Sequence, residues 1–309
     1  MTKNKIPVII LFGPTAVGKT ELLLELFKER GEVINADSVQ VYKDLNIGSA
    51  KPTDDYIKKI PHHLISIVDP QTQFSVADFV ERADVLVQDI FSRGKIPVIS
   101  GGTAFYFKNF IYGLPKLPKI DKMVRLSLQE DLKNSGLPTL YRRLAECDPK
   151  GAASINPGDK YRVVRALEVF TQSGSSILDF SLSDIPREQY EFLIIGLTRP
   201  RDVLYQRINM RVSIMFDMGL YDEFVELYKN GLRPSDPGMK GIGYSEFFQM
   251  MEAGCWNLED LKEVIRQNSR RYAKRQITFF NSFKGVKWVD PDNKLELTRI
   301  VDEFLIENS

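Results

Sequence analysis

The 309-residue sequence predicts an α/β fold, in which a mostly parallel sheet is covered by helices and interrupted by a mostly helical insertion. Short apolar runs bounded by turn residues recur along the chain and are typical of strands buried on both faces. They are PVIILF (7–12), EVINAD (32–37), IPVISGG (96–102), YEFLIIGL (190–197) and GVKWV (285–289). Helical patterns lie between several of these runs, which favours a parallel sheet with ligands at the carboxyl ends of its strands.

Strand signals are absent between about residue 115 and residue 189. This stretch begins with GLPKLPKID, where the prolines break regular structure, and continues with helical segments such as YRVVRALEVFTQSG. We therefore predict a core domain of residues 1–115 and 190–309 and a helical insertion domain of residues 116–189.

Composition argues against a strongly basic protein, a protein with a cysteine metal site and a membrane-spanning protein. The chain has 42 Lys and Arg against 41 Asp and Glu, so any contact with nucleic acid must depend on local basic patches. Cys147 and Cys255 lie far apart without metal-like spacing, which indicates reduced thiols. No apolar stretch approaches the roughly 20 residues that span a bilayer, and the N-terminal apolar run is typical of a buried strand. We expect a cytoplasmic protein that does not enter a membrane.

The segment GPTAVGKT (13–20) matches the full phosphate-binding loop pattern. Its glycines let the backbone turn several N–H groups toward phosphate oxygens, and the helical pattern that follows points its positive end at the anion. Lys19 adds a charge, and Thr20 is able to ligate Mg²⁺. The loop predicts a P-loop-type core with a polyphosphate ligand, whose identity the loop alone leaves open.

Two further strand ends carry polar groups. The second apolar run ends at Asp37, which places Asp37, Ser38 and Gln40 near the loop, where a carboxylate could hold Mg²⁺ or act as a general base. The run IPVISGGT allows close backbone approach at its glycines and offers the Thr103 hydroxyl, but it lacks the metal-binding Asp of the usual ATPase. A small-molecule kinase that uses Asp37 as its base is therefore still an alternative function at this point.

The two histidines, His62 and His63, are adjacent, so they should point in opposite directions and are not expected to bind one metal ion together. Basic residues cluster at three places. They are Lys116, Lys119, Lys122 and Arg125; Lys160, Arg162 and Arg165; and Arg266, Arg270, Arg271, Lys274 and Arg275 on a late helix. Acidic residues are nearly missing from 264–284, so this helix face is either simply solvated or a track for a phosphate backbone.

Several segments together resemble a known family, the bacterial tRNA dimethylallyltransferases or tRNA isopentenyltransferases. The resemblance runs from about residue 7 to residue 290. The segments that carry it are, in order, GPTAVGKT, NADSVQVYKDLNIGSAKP, PHHLISIVDP, FSVADF, PVISGGTAFYFK, RVVRALEVF and AKRQITFF.

The resemblance implies transfer of a dimethylallyl group from dimethylallyl diphosphate to the exocyclic amine of an adenine. That adenine lies just 3′ of the anticodon in tRNAs that read codons beginning with U, and it must leave the base stack to be reached. Diphosphate would then be the leaving group. The loop would bind dimethylallyl diphosphate productively, and ATP would at most compete with it for the loop. The implied partners are the tRNA anticodon loop and dimethylallyl diphosphate, and we expect a monomer.

The resemblance also implies the donor site. With Mg²⁺, the diphosphate would lie on Gly13, Pro14, Thr15, Ala16, Val17, Gly18, Lys19 and Thr20. Thr20 would be the metal ligand, and Arg207 and Arg211 match a basic helix that helps to hold the diphosphate and the base. Lys19 and Arg211 would take part in catalysis.

For the acceptor, the resemblance implies that Asp37 takes the amine proton and that Thr103 lies between the two substrates. The residues that would contact tRNA are Asp37, Ser38, Val39, Gln40, Thr103, Arg125, Tyr161, Arg162, Val163, Val164 and Arg165. One position departs from many members of the family, because Ser245 stands where a basic residue follows Gly-Tyr. The alternatives are the kinase, an RNA-binding protein with a vestigial loop, and an enzyme that prenylates free adenine nucleotides.

Overall fold

The protein is described here by a computed structural model that covers residues 5–254 and 257–308. Six strands of this part of the chain form one sheet with the order β3-β2-β4-β1-β5-β6, and all neighbouring pairs are parallel. The strands are β1 (Ile6–Phe12), β2 (Gly31–Ala36), β3 (His62–His63), β4 (Ile96–Gly101), β5 (Tyr190–Leu197) and β6 (Lys287–Val289).

Most of the remaining described chain is helical. The helices are α1 (Lys19–Phe27), α2 (Asp54–Ile57), α3 (Val76–Ser92), α4 (Ala104–Tyr112), α5 (Lys122–Cys147), α6 (Pro149–Ala153), α7 (Lys160–Ser173), α8 (Arg201–Asp217), α9 (Leu220–Lys229), α10 (Ser245–Ala253), α11 (Leu258–Phe280) and α12 (Lys294–Glu307). The chain divides into a sheet unit, Met1–Ile111 with Arg187–Ser309, and a helical unit, Tyr112–Pro186.

The core of the sheet unit lies around β1, the strand that leads into the phosphate loop. Its residues from Val8 to Phe12 are fully buried, as a central parallel strand covered on both faces requires. Phe12 stacks on Phe280 of α11 with ring centroids 4.2 Å apart, so the late helix packs directly on the strand that supports the loop. This packing fixes the position from which the loop leaves the sheet.

The helical unit has its own core, where α5 and α7 bury Leu128, Leu144, Val163 and Leu167. Helix α7 begins where the Asp159 side chain accepts a hydrogen bond from the backbone N–H of Arg162, which satisfies one of the free donors of the first turn. The first turn of α7, which carries the basic residues, is therefore stabilised by its cap and by the packing of α7 against α5.

The main difference from the sequence prediction is that the structure contains a strand, β3, that the sequence did not predict. It consists of His62 and His63 alone, which is too short to produce an alternation of polar and apolar residues. Cys147 is a free thiol, whereas Cys255 lies outside the described residues. Within those residues, no helix has the length and apolar character needed to cross a bilayer.

Candidate active site

The carboxyl ends of three neighbouring strands, β1, β2 and β4, meet at one edge of the sheet. A cavity of about 550 Å³ opens there, and its lining includes Thr15–Thr20, Asp37, Gln40, Arg207 and Arg211. A second cavity of about 350 Å³ shares Thr15, Asp37 and Arg211 with it. The structure thus brings together the loop, the carboxylate and the two arginines that the sequence singled out.

The phosphate loop has the backbone conformation that its glycine spacing predicts. Gly18, the residue before α1, has a φ of 115°, a left-handed conformation that side chains rarely adopt. Lys19 Nζ donates to the carbonyl oxygens of Gly13 and Pro14 at 2.8 and 3.0 Å. The loop therefore closes on its own lysine and presents the positive end of α1 to the cavity.

The electrostatics of the loop favour an anion. Burial and the neighbouring Arg211 guanidinium lower the pKa of Lys19 to about 7, and Asp37 offsets this only in part. Burial also lowers the pKa of Arg211, with a smaller effect from Arg207. An anion bound among these groups would favour their charged forms.

Helix α8 supplies the arginines. Arg207 Nε donates to the carbonyl oxygen of Ala16 at 2.8 Å, and Arg211 Nη1 lies 3.4 Å from Thr15 Oγ1. Arg199, to which the sequence patterns assigned no role, donates to the carbonyl oxygen of Val17 at 2.8 Å. Since Asp292 pairs with it at 2.5 Å, we assign Arg199 a structural role in shaping the loop.

Asp37 follows the last residue of β2 and turns its carboxylate into both cavities. Its Oδ1 accepts hydrogen bonds from the backbone N–H groups of Val39 and Gln40 at 2.9 and 3.3 Å. Thr103 Oγ1 accepts from the backbone N–H of Ser38 at 2.9 Å and donates to Ser38 Oγ at 3.2 Å. The turn is thereby fixed from both sides, and the hydrogen bonds that the carboxylate accepts within the described chain are to Oδ1.

Gln40 lies in the cavity wall, where its Nε2 donates to the carbonyl oxygens of Ser49 and Ala50, each at 3.1 Å. Its amide hydrogens thus hold the 49–50 segment. A contact with the base, as implied by the resemblance, stays a prediction and would use the amide oxygen.

Gln276 of α11 is a site residue that the sequence patterns did not reveal. It is 3% exposed, and its Oε1 accepts from the backbone N–H of Thr15 at 2.9 Å while its Nε2 donates to the carbonyl oxygen of Gly102 at 2.7 Å. One side chain therefore joins the loop after β1 to the turn after β4. The only signal for it in the sequence was its place in AKRQITFF, to which no role was attached.

Glu223 of α9 was also missed. Its carboxylate accepts from the backbone N–H groups of Ile47 and Gly48 at 2.8 and 3.0 Å and from the Tyr244 hydroxyl at 2.7 Å. It fixes the segment that borders both cavities. In the sequence, Glu223 is indistinguishable from a solvated acid on an amphipathic helix.

The sequence left the basic face of α11 as either solvated or a track for a phosphate backbone, and the structure shows contacts within the protein at two of its arginines. Arg266 donates to Ser213 Oγ at 2.9 Å, and Arg270 donates to Asn209 Oδ1 at 2.7 Å and pairs with Glu263 at 2.9 Å. Both side chains are therefore engaged against α8 and are not free for a phosphate backbone. Lys274 of the same stripe is exposed.

In the helical unit, the predicted RNA contacts differ in accessibility. Arg125, Tyr161 and Arg162 are exposed, and Val164 is half-buried. Arg165 is bonded to Glu168 at 2.7 Å. Val163 is fully buried, so its side chain packs inside the unit and is not offered to RNA.

Two smaller predictions concern single side chains. His62 Nδ1 lies 2.8 Å from the carbonyl oxygen of Ile60, whereas His63 Nε2 lies 2.7 Å from Glu32 Oε2, so the histidines point to different partners, as predicted. Ser245 donates to Glu246 at 3.2 Å. Its hydroxyl therefore supports the turn before α10.

Comparisons with known proteins show the family of the chain. The model of the IPP transferase family matches residues 40–283. A tRNA dimethylallyltransferase of Geobacter sulfurreducens is 41% identical, covering 97% of each chain, and one of Bacillus subtilis is 41% identical, covering 97% of this chain and 96% of the relative.

Solved structures are also similar. The tRNA isopentenylpyrophosphate transferase of Bacillus halodurans superposes with a TM-score of 0.73 at 38% identity, covering 98% of each chain. A eukaryotic dimethylallyltransferase acting on tRNA gives a TM-score of 0.78 at 29% identity, covering 98% of this chain and 80% of the other. With a family model that matches most of the chain and relatives of this identity over nearly its full length, the protein belongs to the IPP transferase family, whose members include the tRNA dimethylallyltransferases.

Proposed function

We propose that this protein transfers a dimethylallyl group from dimethylallyl diphosphate to the exocyclic amine of the adenine 3′-adjacent to the anticodon. The tRNAs would be those that read codons beginning with U, and diphosphate is released. One observation supports this most directly: Asp37 lines the cavity of the phosphate loop and also the neighbouring cavity, so a base and a leaving-group site share one wall. The names of the similar proteins support the same reaction.

On the donor side, the loop N–H groups, Lys19, Arg207 and Arg211 surround the place for the diphosphate. The bond between the allylic carbon and the diphosphate oxygen breaks, and negative charge grows on the departing group. Cations and N–H groups already in place stabilise that charge without reorganisation. ATP would occupy the loop only as a competitor.

On the acceptor side, the adenine amine is a weak nucleophile because its lone pair is delocalised into the ring. As the nitrogen–carbon bond forms, a proton must leave the nitrogen, and Asp37 Oδ2 would accept it. The base would leave the stacked loop and enter the cavity lined by Asp37, Ser38 and Tyr272. Thr103 acts on this step by holding Ser38.

Mg²⁺ fits the chemistry of the cavity. Thr20, Asn35 and Ser100 line it, and the buried atoms Asn35 Nδ2 and Ser100 Oγ have no hydrogen-bond partner among the described residues. That part of the chain has no cluster of acidic, histidine or cysteine side chains able to hold a metal, so Thr20 would ligate it together with substrate oxygens. When bound, the ion neutralises charge on the diphosphate.

The helical unit would bind tRNA through its exposed residues Arg125, Tyr161 and Arg162. Such contacts attract the phosphate backbone and place a ring next to the bases. We propose that the enzyme works in the cytoplasm as a monomer.

The test is incubation of the purified protein with radiolabelled dimethylallyl diphosphate and total tRNA from a strain that lacks the modification. We expect label in tRNA at the adenine beside the anticodon. Parallel reactions contain adenosine monophosphate as the acceptor, or labelled ATP as the donor. Equal efficiency with the free nucleotide would assign the nucleotide-prenylating activity instead, and phosphate transfer without prenyl transfer would assign a kinase.

A further inference from the structure

The lining of the cavity at the phosphate loop includes two neighbouring polar residues, Asn35 of β2 and Ser100 of β4. They are paired in register across the two strands and are 7% and 3% exposed. Among the described residues, neither Asn35 Nδ2 nor Ser100 Oγ has a hydrogen-bond partner. A buried polar group without a hydrogen-bond partner destabilises the fold, so two such groups side by side require an explanation.

The pair lies next to the phosphate loop. β4 is the direct neighbour of β1, and Ser100 is in register with Leu11, near the end of the strand from which the loop departs. Thr20, Asn35 and Ser100 line the same cavity. In nucleotide hydrolases with this loop, an Asp that helps to hold Mg²⁺ follows an apolar strand. Here the apolar run of β4 leads to a neutral hydroxyl in place of a carboxylate.

The charges of the cavity determine whether the free protein, with a neutral side chain at Ser100, attracts a metal ion. Lys19, Arg207 and Arg211 repel a bare divalent cation, whereas they attract a Mg²⁺–diphosphate complex, which is still an anion. Of the carboxylates in the lining, Asp37 is held by backbone N–H groups and Glu21 is exposed. The free protein therefore has little with which to retain a metal ion by itself.

We propose that Ser100 and Asn35 position the hydrated metal of the Mg²⁺–diphosphate complex, and that the ion enters and leaves with the diphosphate. This rests on the proposed function, since it takes the diphosphate as the ligand of the loop. Ser100 Oγ accepts a hydrogen bond from a metal-bound water, and Asn35 Nδ2 donates to a diphosphate oxygen. Both residues act through the water shell and the anion, so they are positioning residues.

The test uses Mn²⁺ as a paramagnetic substitute for Mg²⁺ and inorganic diphosphate as the anion. Free and bound Mn²⁺ are measured by electron paramagnetic resonance, and diphosphate binding without metal is measured by calorimetry. For the natural protein we expect Mn²⁺ binding only when diphosphate is present. Ser100→Ala and Asn35→Ala should each weaken Mn²⁺ binding by about 10-fold, the effect of losing an outer hydrogen bond to a metal site. Metal-free diphosphate binding should stay unchanged in Ser100→Ala and should weaken in Asn35→Ala, which loses a donor to the anion itself.

Ser100→Asp provides the opposite change, because a carboxylate there should bind Mn²⁺ in the absence of diphosphate. Ser282→Ala, at an exposed position outside the cavity, is the control and should change nothing. Thermal unfolding without ligands separates a structural role: Ser100→Ala should unfold at the same or a higher temperature, since it removes an unpaired buried hydroxyl.

Two failures have different meanings. If the natural protein bound no diphosphate at all, the proposed function would fail. If it bound diphosphate but also bound Mn²⁺ tightly alone, or if Ser100→Ala and Asn35→Ala left Mn²⁺ binding unchanged, this inference would be wrong while the proposed function stood.

Discussion

Strand β2 carries an acidic side chain near each of its ends, and the two have opposite surroundings. Glu32, near the start, is 6% exposed and is bonded to Arg93 at 2.9 Å and His63 at 2.7 Å. The hydrogen bonds from Arg93, with a smaller effect from His63, lower the pKa of Glu32 to about 2. Asp37, just after the end of the strand, bonds only to backbone N–H groups and has no salt bridge within the described chain.

The helical unit repeats this contrast with the opposite sign of charge. Arg165 is bonded to the buried Glu168, whereas Arg162 is exposed and, within the described chain, forms an ion pair with Asp159 alone, at 3.4 Å. In both units, a charge that is neutralised within the chain stabilises the fold, and a charge left open is available to a ligand. Replacing members of each class separates the two roles.

The largest effect is expected at Asp37. Asp37→Asn keeps the shape and the backbone hydrogen bonds but removes the base, so turnover should fall by roughly 10²–10⁴-fold. Binding of tRNA and diphosphate should change much less, as filter binding and calorimetry would show. A variant with nearly normal single-turnover rates would exclude the general-base role. Asp69→Asn, at an exposed carboxylate, is the matched control.

In the proposed reaction, Lys19→Ala removes a preorganised charge from the place where the leaving group would depart. The rate of prenyl transfer should fall on the order of 10²-fold or more, because this stabilisation is greatest in the transition state. Since the pKa of Lys19 is about 7 in the free protein, diphosphate binding at pH 8 should take up a proton. Calorimetry in two buffers of different ionisation enthalpy measures this uptake, and its persistence in Lys19→Ala would assign it to another group.

Glu32→Gln tests the paired carboxylate. It should lower the free energy of unfolding by about 2 kcal/mol, the range for hydrogen bonds to charged groups, and leave turnover per folded molecule unchanged. The depressed pKa means that this stabilisation is full above the unfolded value of 4.5 and is lost as the pH falls toward 2.

Urea denaturation at several pH values should therefore show the difference between the natural protein and Glu32→Gln shrinking below pH 4.5. The control is Glu303→Gln, whose partner Arg299 is exposed, and it should change stability by no more than about 0.5 kcal/mol. A constant difference from neutral pH down to acid would contradict the assignment.

The smallest effect is expected at Arg162. Arg162→Glu should weaken tRNA binding several-fold and reduce the logarithmic salt slope by about 0.7 for each RNA phosphate that the protein no longer neutralises. Diphosphate binding should stay unchanged. Lys133→Glu, the same charge reversal at another exposed position of the helical unit, should have a smaller effect if Arg162 makes a specific contact. Arg165→Glu is avoided because it would place a second acid beside Glu168.

The parts of the site that the sequence predicted are local. The phosphate loop is predicted by a strand followed by a glycine spacing. The position of Asp37 near the loop is predicted by the parallel arrangement of the strands. Gln276, Glu223 and Arg199 could not be found in this way, because each acts on a segment far away in the sequence and resembles an ordinary helix residue. The α11 stripe shows a related limit, since helical periodicity tells which residues share a face but not that Arg266 meets Ser213.

The Gln276 bridge has a consequence for how the protein is made. A ribosome releases the phosphate loop and the turn after β4 early, but the side chain that ties Thr15 to Gly102 is synthesised near the end. Strand β5, which pairs with β1, also emerges only after the whole helical unit. A nascent chain therefore contains the loop motif long before its binding site is complete. Binding of the proposed donor is accordingly expected only after nearly the whole chain has been synthesised.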